Sequence, residues 1–198
     1  MAQYQFRQAP GAGADSPIIF LFHGTGGDEN QFFDVAGQLM PGARRVAPRG
    51  DVSEHGALRY FRRTGEGVYD MDDLALRTAA MADFVREQIG PARPQRVIGL
   101  GYSNGANILA SVQFAVPDLF DAAILMHPLI PFAPPAADFA DRQVLITAGR
   151  HDHIAPAEAT QALAEYFRAN GARTELYWHQ GGHELRGEEL TAAQKFLA

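Results

Sequence analysis

The sequence contains no cysteine among its 198 residues. Disulfide bonds, thiolate nucleophiles and metal sites built on cysteine are therefore excluded. Basic residues are also few, because 17 lysines and arginines face 23 aspartates and glutamates and give a formal net charge of −6. This balance, together with the lack of any Lys/Arg-rich run, argues against a nucleic-acid-binding protein.

Long apolar runs are missing as well. No stretch approaches the ~20 residues that a membrane-spanning helix needs, and the first residues lack the pattern of a secretory signal peptide. The composition, 46% hydrophobic and 20% charged, is that of an ordinary globular protein. We therefore expect a cytoplasmic protein with a single domain over residues 1–198, because this length is short for two full domains.

Short apolar segments alternate with longer segments of helical period, which indicates βαβ units and a mostly parallel sheet. The predicted strands are 17–22, 44–48, 96–100, 122–126, 144–148 and 174–179, and the predicted helices are 32–39, 72–88, 105–114, 156–170 and 188–198. Residues 49–70 are expected to be irregular, and Asp72 is expected to cap the second helix. These units fill the chain and leave no room for a cap domain.

Serine is scarce, with four residues, and one of them stands in a distinctive motif. Ser103 is the centre of Gly101-Tyr-Ser-Asn-Gly105, a G-x-S-x-G between a predicted strand and a predicted helix. Such a tight turn lifts the serine to the carboxyl edge of the sheet, and its glycines let neighbouring backbone approach. The motif predicts a nucleophile. The alternative is a glycine-rich turn whose serine only caps the helix.

A serine hydroxyl needs a histidine to remove its proton and a carboxylate to orient that histidine. In this kind of fold the acid and then the histidine follow the serine, on loops after late strands. Asp152 follows the predicted strand 144–148, and His183 follows the last predicted strand after two glycines. His179 is the rival base, but it falls within that strand. We therefore predict a Ser103–Asp152–His183 triad.

The loop after the first buried strand reads His23-Gly-Thr-Gly-Gly-Asp-Glu29 and is rich in glycine. Acyl transfer develops negative charge on the carbonyl oxygen, and fixed backbone N–H groups stabilise that charge. One donor normally comes from such a loop and the other from the residue after the nucleophile. The backbone N–H groups of Thr25 and Asn104 are therefore the predicted oxyanion hole.

Further side chains are candidates for the substrate pocket, each with a structural alternative. The candidates are His23, Phe61 and His127, and Arg59, Arg62 and Arg63 are a candidate anion-attracting rim. His127 could instead hydrogen-bond to the proline-rich segment 127–141. The aromatic and basic residues of 59–63 could instead pack a surface loop on the sheet.

The motifs above combine with Tyr60-Phe-Arg-Arg63, His127-Pro128, Thr147-Ala-Gly-Arg-His-Asp152 and Gly182-His183. As a set they resemble the phospholipase/carboxylesterase family of α/β hydrolases over nearly the whole chain. The resemblance implies an α/β-hydrolase fold, with a mostly parallel central sheet flanked by helices, and a serine esterase with no metal or organic cofactor. It is nearest to the small bacterial carboxylesterases associated with hydroquinone resistance.

The chain departs from related sequences at two points. Acyl-protein thioesterases and similar relatives usually have glutamine after the nucleophile, where this chain has Asn104, but the oxyanion donor is a backbone amide and keeps its role. The absence of cysteine excludes the thiol nucleophile of dienelactone hydrolases.

We therefore expect a carboxylesterase that cleaves small or short-acyl esters through an acyl-enzyme and that could form a homodimer. One alternative is a hydrolase like the lysophospholipases and acyl-protein thioesterases. A second is a non-catalytic binding protein that retained the fold. A third is a metal-dependent hydrolase, in which an ion would need three or four ligands drawn from His151, Asp152, His153, His23, His127 and His183.

Overall fold

The computed structural model describes residues 4–198. In chain order its strands are β1 Phe6–Ala9, β2 Ile18–Phe22, β3 Arg44–Pro48, β4 Val52–Glu54, β5 Ala57–Arg59, β6 Arg63–Gly65, β7 Val68–Tyr69, β8 Val97–Tyr102, β9 Ala122–Met126, β10 Gln143–Gly149 and β11 Arg173–His179. The helices are α1 Phe33–Leu39, α2 Met71–Ile89, α3 Asn104–Ala115, α4 Ala157–Ala169 and α5 Gly187–Leu197. No helix of residues 4–198 is long and apolar enough to cross a membrane.

Seven strands form one sheet in the order β1-β3-β2-β8-β9-β10-β11. β1 is antiparallel to β3, and every other neighbouring pair in this sheet is parallel. All residues of β2 and β9 are buried. Such continuous apolar strands are typical of a parallel sheet that helices cover on both faces. The mostly parallel sheet flanked by helices is thus confirmed.

Two apolar cores lie on opposite faces of the sheet. Phe20 and Phe22 of β2 face the core that α2, α3 and α4 cover, whereas Ile19 and Leu21 face the core under α1 and α5. Successive side chains of a strand point to opposite faces, so a single strand feeds both cores. The sheet is therefore held from both sides, and its carboxyl edge is a fixed platform for the loops that follow the strands.

Three local predictions are wrong. β1 was not predicted, because its four residues form an antiparallel edge strand with alternating exposure and lack an apolar run. Residues 49–70 are not irregular, since they contain the hairpins β4–β5 and β6–β7. Helix α2 is capped by Asp70 rather than Asp72, because the Asp70 carboxylate accepts the N–H of Asp73 at 3.0 Å.

The loops after the central strands all emerge at the carboxyl edge of the sheet, where ligands of open α/β sheets bind. The loop after β2 carries residues 23–29, Ser103 follows β8, and His127 follows β9. Asp152 follows β10, and His183 follows β11. The topology alone therefore brings the chemically interesting side chains to one place.

Candidate active site

Ser103 lies on a strained turn between β8 and α3. Its φ of 51° is in the left-handed region, which residues other than glycine rarely adopt. A Cβ atom on Gly105 would collide with the backbone of Phe22 and His23, and one on Gly101 would collide with the backbone of Gly105. The glycines of the motif are therefore required by close backbone contacts that fix where the serine points.

The structure brings Ser103, His183 and Asp152 together in one hydrogen-bonded chain. His183 Nε2 lies 2.8 Å from Ser103 Oγ, and His183 Nδ1 lies 2.7 Å from Asp152 Oδ2. The side chain of Asp152 is buried, whereas that of His183 is partly open to the cleft. This arrangement lets the histidine accept the serine proton while the carboxylate orients the ring.

The carboxylate of Asp152 is stabilised in its ionised form. Its Oδ1 accepts the backbone N–H groups of Ile154 and Ala155 at 2.9 and 2.8 Å. Burial by itself would raise the pKa of Asp152, but hydrogen bonds from His127, His183 and the N–H of Ala155 hold that pKa well below its usual range. Asp152 is therefore ionised at any working pH.

Thr25 and Asn104 both border the cleft next to Ser103, and neither backbone N–H has a hydrogen-bond partner within residues 4–198. The side chains of both residues are fixed. Thr25 Oγ1 accepts from Arg59 Nη1 at 2.8 Å, and Asn104 Oδ1 accepts the N–H of Tyr60 at 2.8 Å. Two unpaired backbone donors beside Ser103 are compatible with the predicted oxyanion hole.

His23 is not on the cleft wall, contrary to the sequence prediction. Its ring is 1% exposed and hydrogen-bonds within the backbone of the loops. Nε2 accepts the N–H of Gly50 at 2.9 Å, so Nδ1 carries the proton and donates to the carbonyl of Gly24 at 2.7 Å. Burial lowers the pKa of His23. A neutral His23 thus ties the loop after β2 to the segment that follows β3.

Phe61 also lies away from the cleft. Its ring is fully buried and packs edge-on against Tyr69, with ring centroids 4.8 Å apart. Tyr69, which the sequence interpretation did not single out, borders the cleft instead. Of the two aromatic rings, that of Tyr69 belongs to a residue on the cleft wall, and that of Phe61 packs in the core.

The predicted arginine rim is largely paired with acids. Arg63 Nε lies 2.9 Å from Glu54, and Arg59 Nη1 lies 3.4 Å from the same carboxylate. Arg62 contacts Asp70. Arg59 and Arg63 do border the cleft, and Arg59 acts on it mainly by holding Thr25.

His127 lies directly beneath the triad and is inaccessible to solvent. Its Nδ1 is 2.9 Å from Asp152 Oδ2, and its Nε2 is 3.0 Å from Glu189 Oε1. The alternative partner weighed for this ring, the proline-rich segment, is therefore not the one that it contacts. His127 reaches the edge of the cleft, but both of its ring nitrogens contact carboxylates, those of Asp152 and Glu189.

Besides Tyr69, the sequence interpretation assigned no role to two residues at the site, Glu189 and Tyr102. Glu189 of α5 accepts the hydroxyl of Thr147 at 2.6 Å, and the Tyr102 hydroxyl donates to the carbonyl of His183 at 2.8 Å. Glu189 could have been found, because Glu189, Ala193 and Leu197 follow each other at the four-residue spacing of one buried helix face. Tyr102 stands within the G-x-S-x-G motif itself.

Two groups of histidine and carboxylate side chains in the described chain converge closely enough to hold a metal ion. One is His127–Asp152–His183, and the other is His127–His179–Glu189. In the first group, both ring nitrogens of His183 are already engaged, with Ser103 and Asp152. The exposed His151 and His153, which the metal alternative relied on, belong to neither group.

The cleft in front of Ser103 has a volume of about 300 Å³. Polar and apolar surface contribute equally to its walls, and Leu129 and Ile154 are the two aliphatic side chains that line it. Arg59, Arg63 and Tyr69 come from the hairpin segment 49–70, so these short hairpins shape one wall. The residues described form no separate cap domain over the site.

The sheet order and the site at its carboxyl edge define an esterase of the α/β-hydrolase fold. The chain belongs to the dienelactone hydrolase family, whose model matches residues 63–185. It is 38% identical over 187 residues to the Bacillus subtilis (strain 168) protein named "Putative hydrolase MhqD", and the match covers 93% of this chain and 94% of that protein.

Two solved structures are similar to this chain over nearly its whole length. The Agrobacterium tumefaciens str. C58 protein Atu2452, of unknown function, is 54% identical, with a TM-score of 0.94 over 98% of this chain and 95% of that one. A Bacillus cereus carboxylesterase is 32% identical, with a TM-score of 0.93 over 98% of this chain and 93% of that one. The expected resemblance to esterases of this fold is thus confirmed.

Proposed function

We propose that this protein is a serine carboxylesterase that hydrolyses small, short-acyl esters through an acyl-enzyme. The observation that carries the proposal is the chain of hydrogen bonds from Ser103 Oγ through His183 to Asp152, at 2.8 and 2.7 Å. A serine whose hydroxyl faces a histidine held by a buried carboxylate is an activated nucleophile. The family and its carboxylesterase relatives support an ester as the substrate.

In the first half of the reaction, Ser103 Oγ attacks the ester carbonyl carbon while His183 Nε2 takes the hydroxyl proton. The carbonyl oxygen becomes an oxyanion, which the N–H groups of Thr25 and Asn104 stabilise. When the carbon–oxygen bond to the alcohol breaks, His183 gives its proton to the departing oxygen. The acyl group is then bound to Ser103 as an ester.

In the second half, water replaces the alcohol. His183 removes one proton from the water as it attacks the acyl-enzyme, and the same two N–H groups hold the second oxyanion. The bond to Ser103 Oγ breaks, His183 returns the proton to the serine, and the carboxylic acid leaves. Asp152 stays ionised throughout, because it orients the ring and stabilises its charged form.

The cleft favours a short acyl group. Each buried methylene contributes about 0.8 kcal/mol only where an apolar wall receives it. Leu129 and Ile154 can receive a few carbons, and no other aliphatic side chain of the described residues lines the cleft. The more apolar groove of the molecule, lined by Met71, Leu74, Phe114 and Phe132, contains no triad residue. This separation argues against the lysophospholipase-like or thioesterase-like alternative, which would need a long apolar channel at the serine.

The test is covalent labelling with a fluorophosphonate probe, combined with turnover of aryl esters from acetate to octanoate. We expect the probe to label the wild type at Ser103, and Ser103→Ala to lose both labelling and turnover while it remains folded. Ser16→Ala, the matched control at a serine away from the cleft, should behave as the wild type. Activity that rises towards octanoate would contradict the short-acyl proposal, and an active Ser103→Ala variant would contradict the mechanism.

The single domain over residues 1–198, the cytoplasmic location and the homodimer stay predictions. The feature that supports a homodimer is the groove between α2 and α3, beside which Met71 is 48% exposed.

A further inference from the structure

A second set of ionisable side chains lies beneath the triad, and the mechanism above does not use it. His127, His179 and Glu189 are 0%, 2% and 0% exposed. They come from the loop after β9, the end of β11 and the first turn of α5. Burying ionisable groups is costly unless each is paired and hydrogen-bonded, so the proton positions in this cluster are strongly constrained.

The position of the proton on His179 follows from a backbone contact. His179 Nδ1 accepts the N–H of Gly181 at 3.0 Å. An imidazole nitrogen that accepts a hydrogen bond carries no proton, so the proton of neutral His179 is on Nε2. That N–H points into the cluster, towards Glu189 Oε2 at 3.5 Å, and His127 Nε2, at 3.3 Å, could accept it only if it carried no proton.

Both ring nitrogens of His127 face carboxylate oxygens, Asp152 Oδ2 at 2.9 Å and Glu189 Oε1 at 3.0 Å. Ionised carboxylates only accept hydrogen bonds, so each nitrogen must carry a proton. A neutral ring would turn a lone pair towards a carboxylate oxygen at 2.9 or 3.0 Å, which is a repulsive contact. His127 is therefore an imidazolium between two carboxylates.

Glu189 is held in its ionised form by other donors as well. The Thr147 hydroxyl donates to Oε1 at 2.6 Å, and the Arg186 N–H donates to Oε2 at 2.7 Å. Burial by itself would raise the pKa of Glu189, but the hydrogen bonds from His127 and Thr147 lower it. Burial by itself would lower the pKa of His127, but its bonds to Asp152 and Glu189 raise that pKa to about 9.

We propose that His127 is a positioning residue of the triad, a buried imidazolium that anchors Asp152 to Glu189 and lowers the pH at which the catalytic base becomes active. This proposal rests on the proposed function, because it assigns a second task at the same site. His127 touches no reacting atom, and it acts through Asp152 Oδ2, the atom that also accepts from His183.

The effect on the base follows from charge. The rings of His127 and His183 have centroids 5.1 Å apart, so a fixed positive charge on the first disfavours a second positive charge on the other. The other groups that face His127 are Asp152, Glu189 and neutral His179, together with the edge-on ring of Tyr102 at 5.8 Å. Since a base must be neutral to accept the serine proton, His127 extends activity to lower pH.

Two variants remove the buried charge in different ways. Glu189→Gln keeps the shape of the side chain but removes the carboxylate that retains the proton on His127 Nε2. His127→Asn removes the charge itself, and asparagine tolerates the left-handed backbone found here, with φ at 51°. In both we expect the acid limb of kcat/KM to move up by about 0.5–1 pH unit. Glu188→Gln, which removes an exposed carboxylate from the same turn of α5, should leave the profile unchanged.

Nitrogen NMR of the histidine rings tests the proton count directly and does not need activity. In the wild type, one ring should keep both nitrogens protonated between about pH 6 and 8, where ordinary histidines lose a proton. That ring should disappear from the spectrum of His127→Asn and titrate near neutral pH in Glu189→Gln. This measurement on the wild type decides the proton count even where a variant fails to fold.

The outcomes separate the two proposals. A wild type that the fluorophosphonate does not label overturns the proposed function, and the buried imidazolium is then judged by NMR alone. A labelled wild type that lacks a doubly protonated histidine at pH 7 overturns the present inference and leaves the esterase standing. The inference is equally overturned where labelled, folded Glu189→Gln has the acid limb of the wild type.

Discussion

Asp152 has two sides, and each presents a histidine to the same carboxylate oxygen. On the cleft side, His183 lies 2.7 Å from Oδ2 and its other nitrogen meets the Ser103 hydroxyl. On the buried side, His127 lies 2.9 Å from Oδ2 and its other nitrogen meets Glu189. The two series of hydrogen bonds differ only in the group that the far nitrogen of the histidine meets, which is a hydroxyl for His183 and a carboxylate for His127.

That terminal group decides whether the histidine can accept and return a proton. A hydroxyl donates its proton to the ring, so His183 can begin neutral, accept a proton and return it. A carboxylate only accepts, so it keeps a proton on His127 and leaves that ring without a role in proton transfer. The same side chain on the same acid is therefore a proton carrier on one side and a fixed cation on the other.

The largest expected effect separates the two histidines by activity. His183→Gln should lower kcat by about 10⁶-fold, because the base that takes the proton from Ser103 is removed. His127→Asn should cost far less, because the serine, its base and the oxyanion donors all remain. Steady-state kinetics with an aryl acetate measures both. The exposed neighbour of Asp152 gives the control, His151→Gln, which should match the wild type. Equal losses of kcat in His183→Gln and His127→Asn would contradict the assignment of different roles to the two histidines.

The two sides of Asp152 were not equally visible in the sequence. The cleft side was predicted from local signals: Ser103 in a strand–turn–helix motif, then Asp152 and His183 after successive late strands. The structure brings these three together. The buried side depends on His127 and Glu189, which are 62 residues apart in the sequence and meet only after α5 packs on the sheet. A lone glutamate on a helix gives no hint of its partner.

The same contrast explains the errors in the fold. The central strands are continuous apolar runs, so the predicted strands of the sheet lie within two residues of the observed bounds. The hairpins in 49–70 have two or three residues per strand and no apolar alternation, and they are held by Arg59, Glu54 and Arg63 contacts. Structure that depends on side-chain pairs between distant residues leaves no periodic pattern for a single sequence to show.

A smaller effect should appear in stability against pH. The pKa of His127 is raised from 6.5 to about 9 in the folded protein. Below pH 6.5 the ring is protonated in both states and its stabilisation is complete, and as pH rises to about 9 that stabilisation is lost. The loss amounts to about 3 kcal/mol at most. Urea denaturation between about pH 6 and 9 should show this decline in the wild type.

The variant that sharpens this prediction is again Glu189→Gln. Its free energy of unfolding should be lower than that of the wild type below pH 6.5 and should approach it towards pH 9. Glu188→Gln should follow the wild type at every pH, because its carboxylate is exposed. If the free energies of unfolding of the wild type and Glu189→Gln change in parallel with pH, Glu189 does not keep His127 protonated.

The smallest expected effect tests whether a small displacement of His183, without any change of charge, shifts the pH profile as the loss of the charge on His127 does. The Tyr102 hydroxyl donates to the carbonyl of His183 at 2.8 Å, and its ring packs against the His183 ring at 5.6 Å. Tyr102→Phe keeps the ring contact and removes one neutral hydrogen bond, which should cost about 1 kcal/mol of stability and lower kcat/KM by about 2–5-fold. Because no charge changes, the acid limb of the pH profile should stay where it is. A limb that moved as far in Tyr102→Phe as in Glu189→Gln would show that both variants act by displacing the base, and the fixed charge on His127 would then have no separate effect on catalysis.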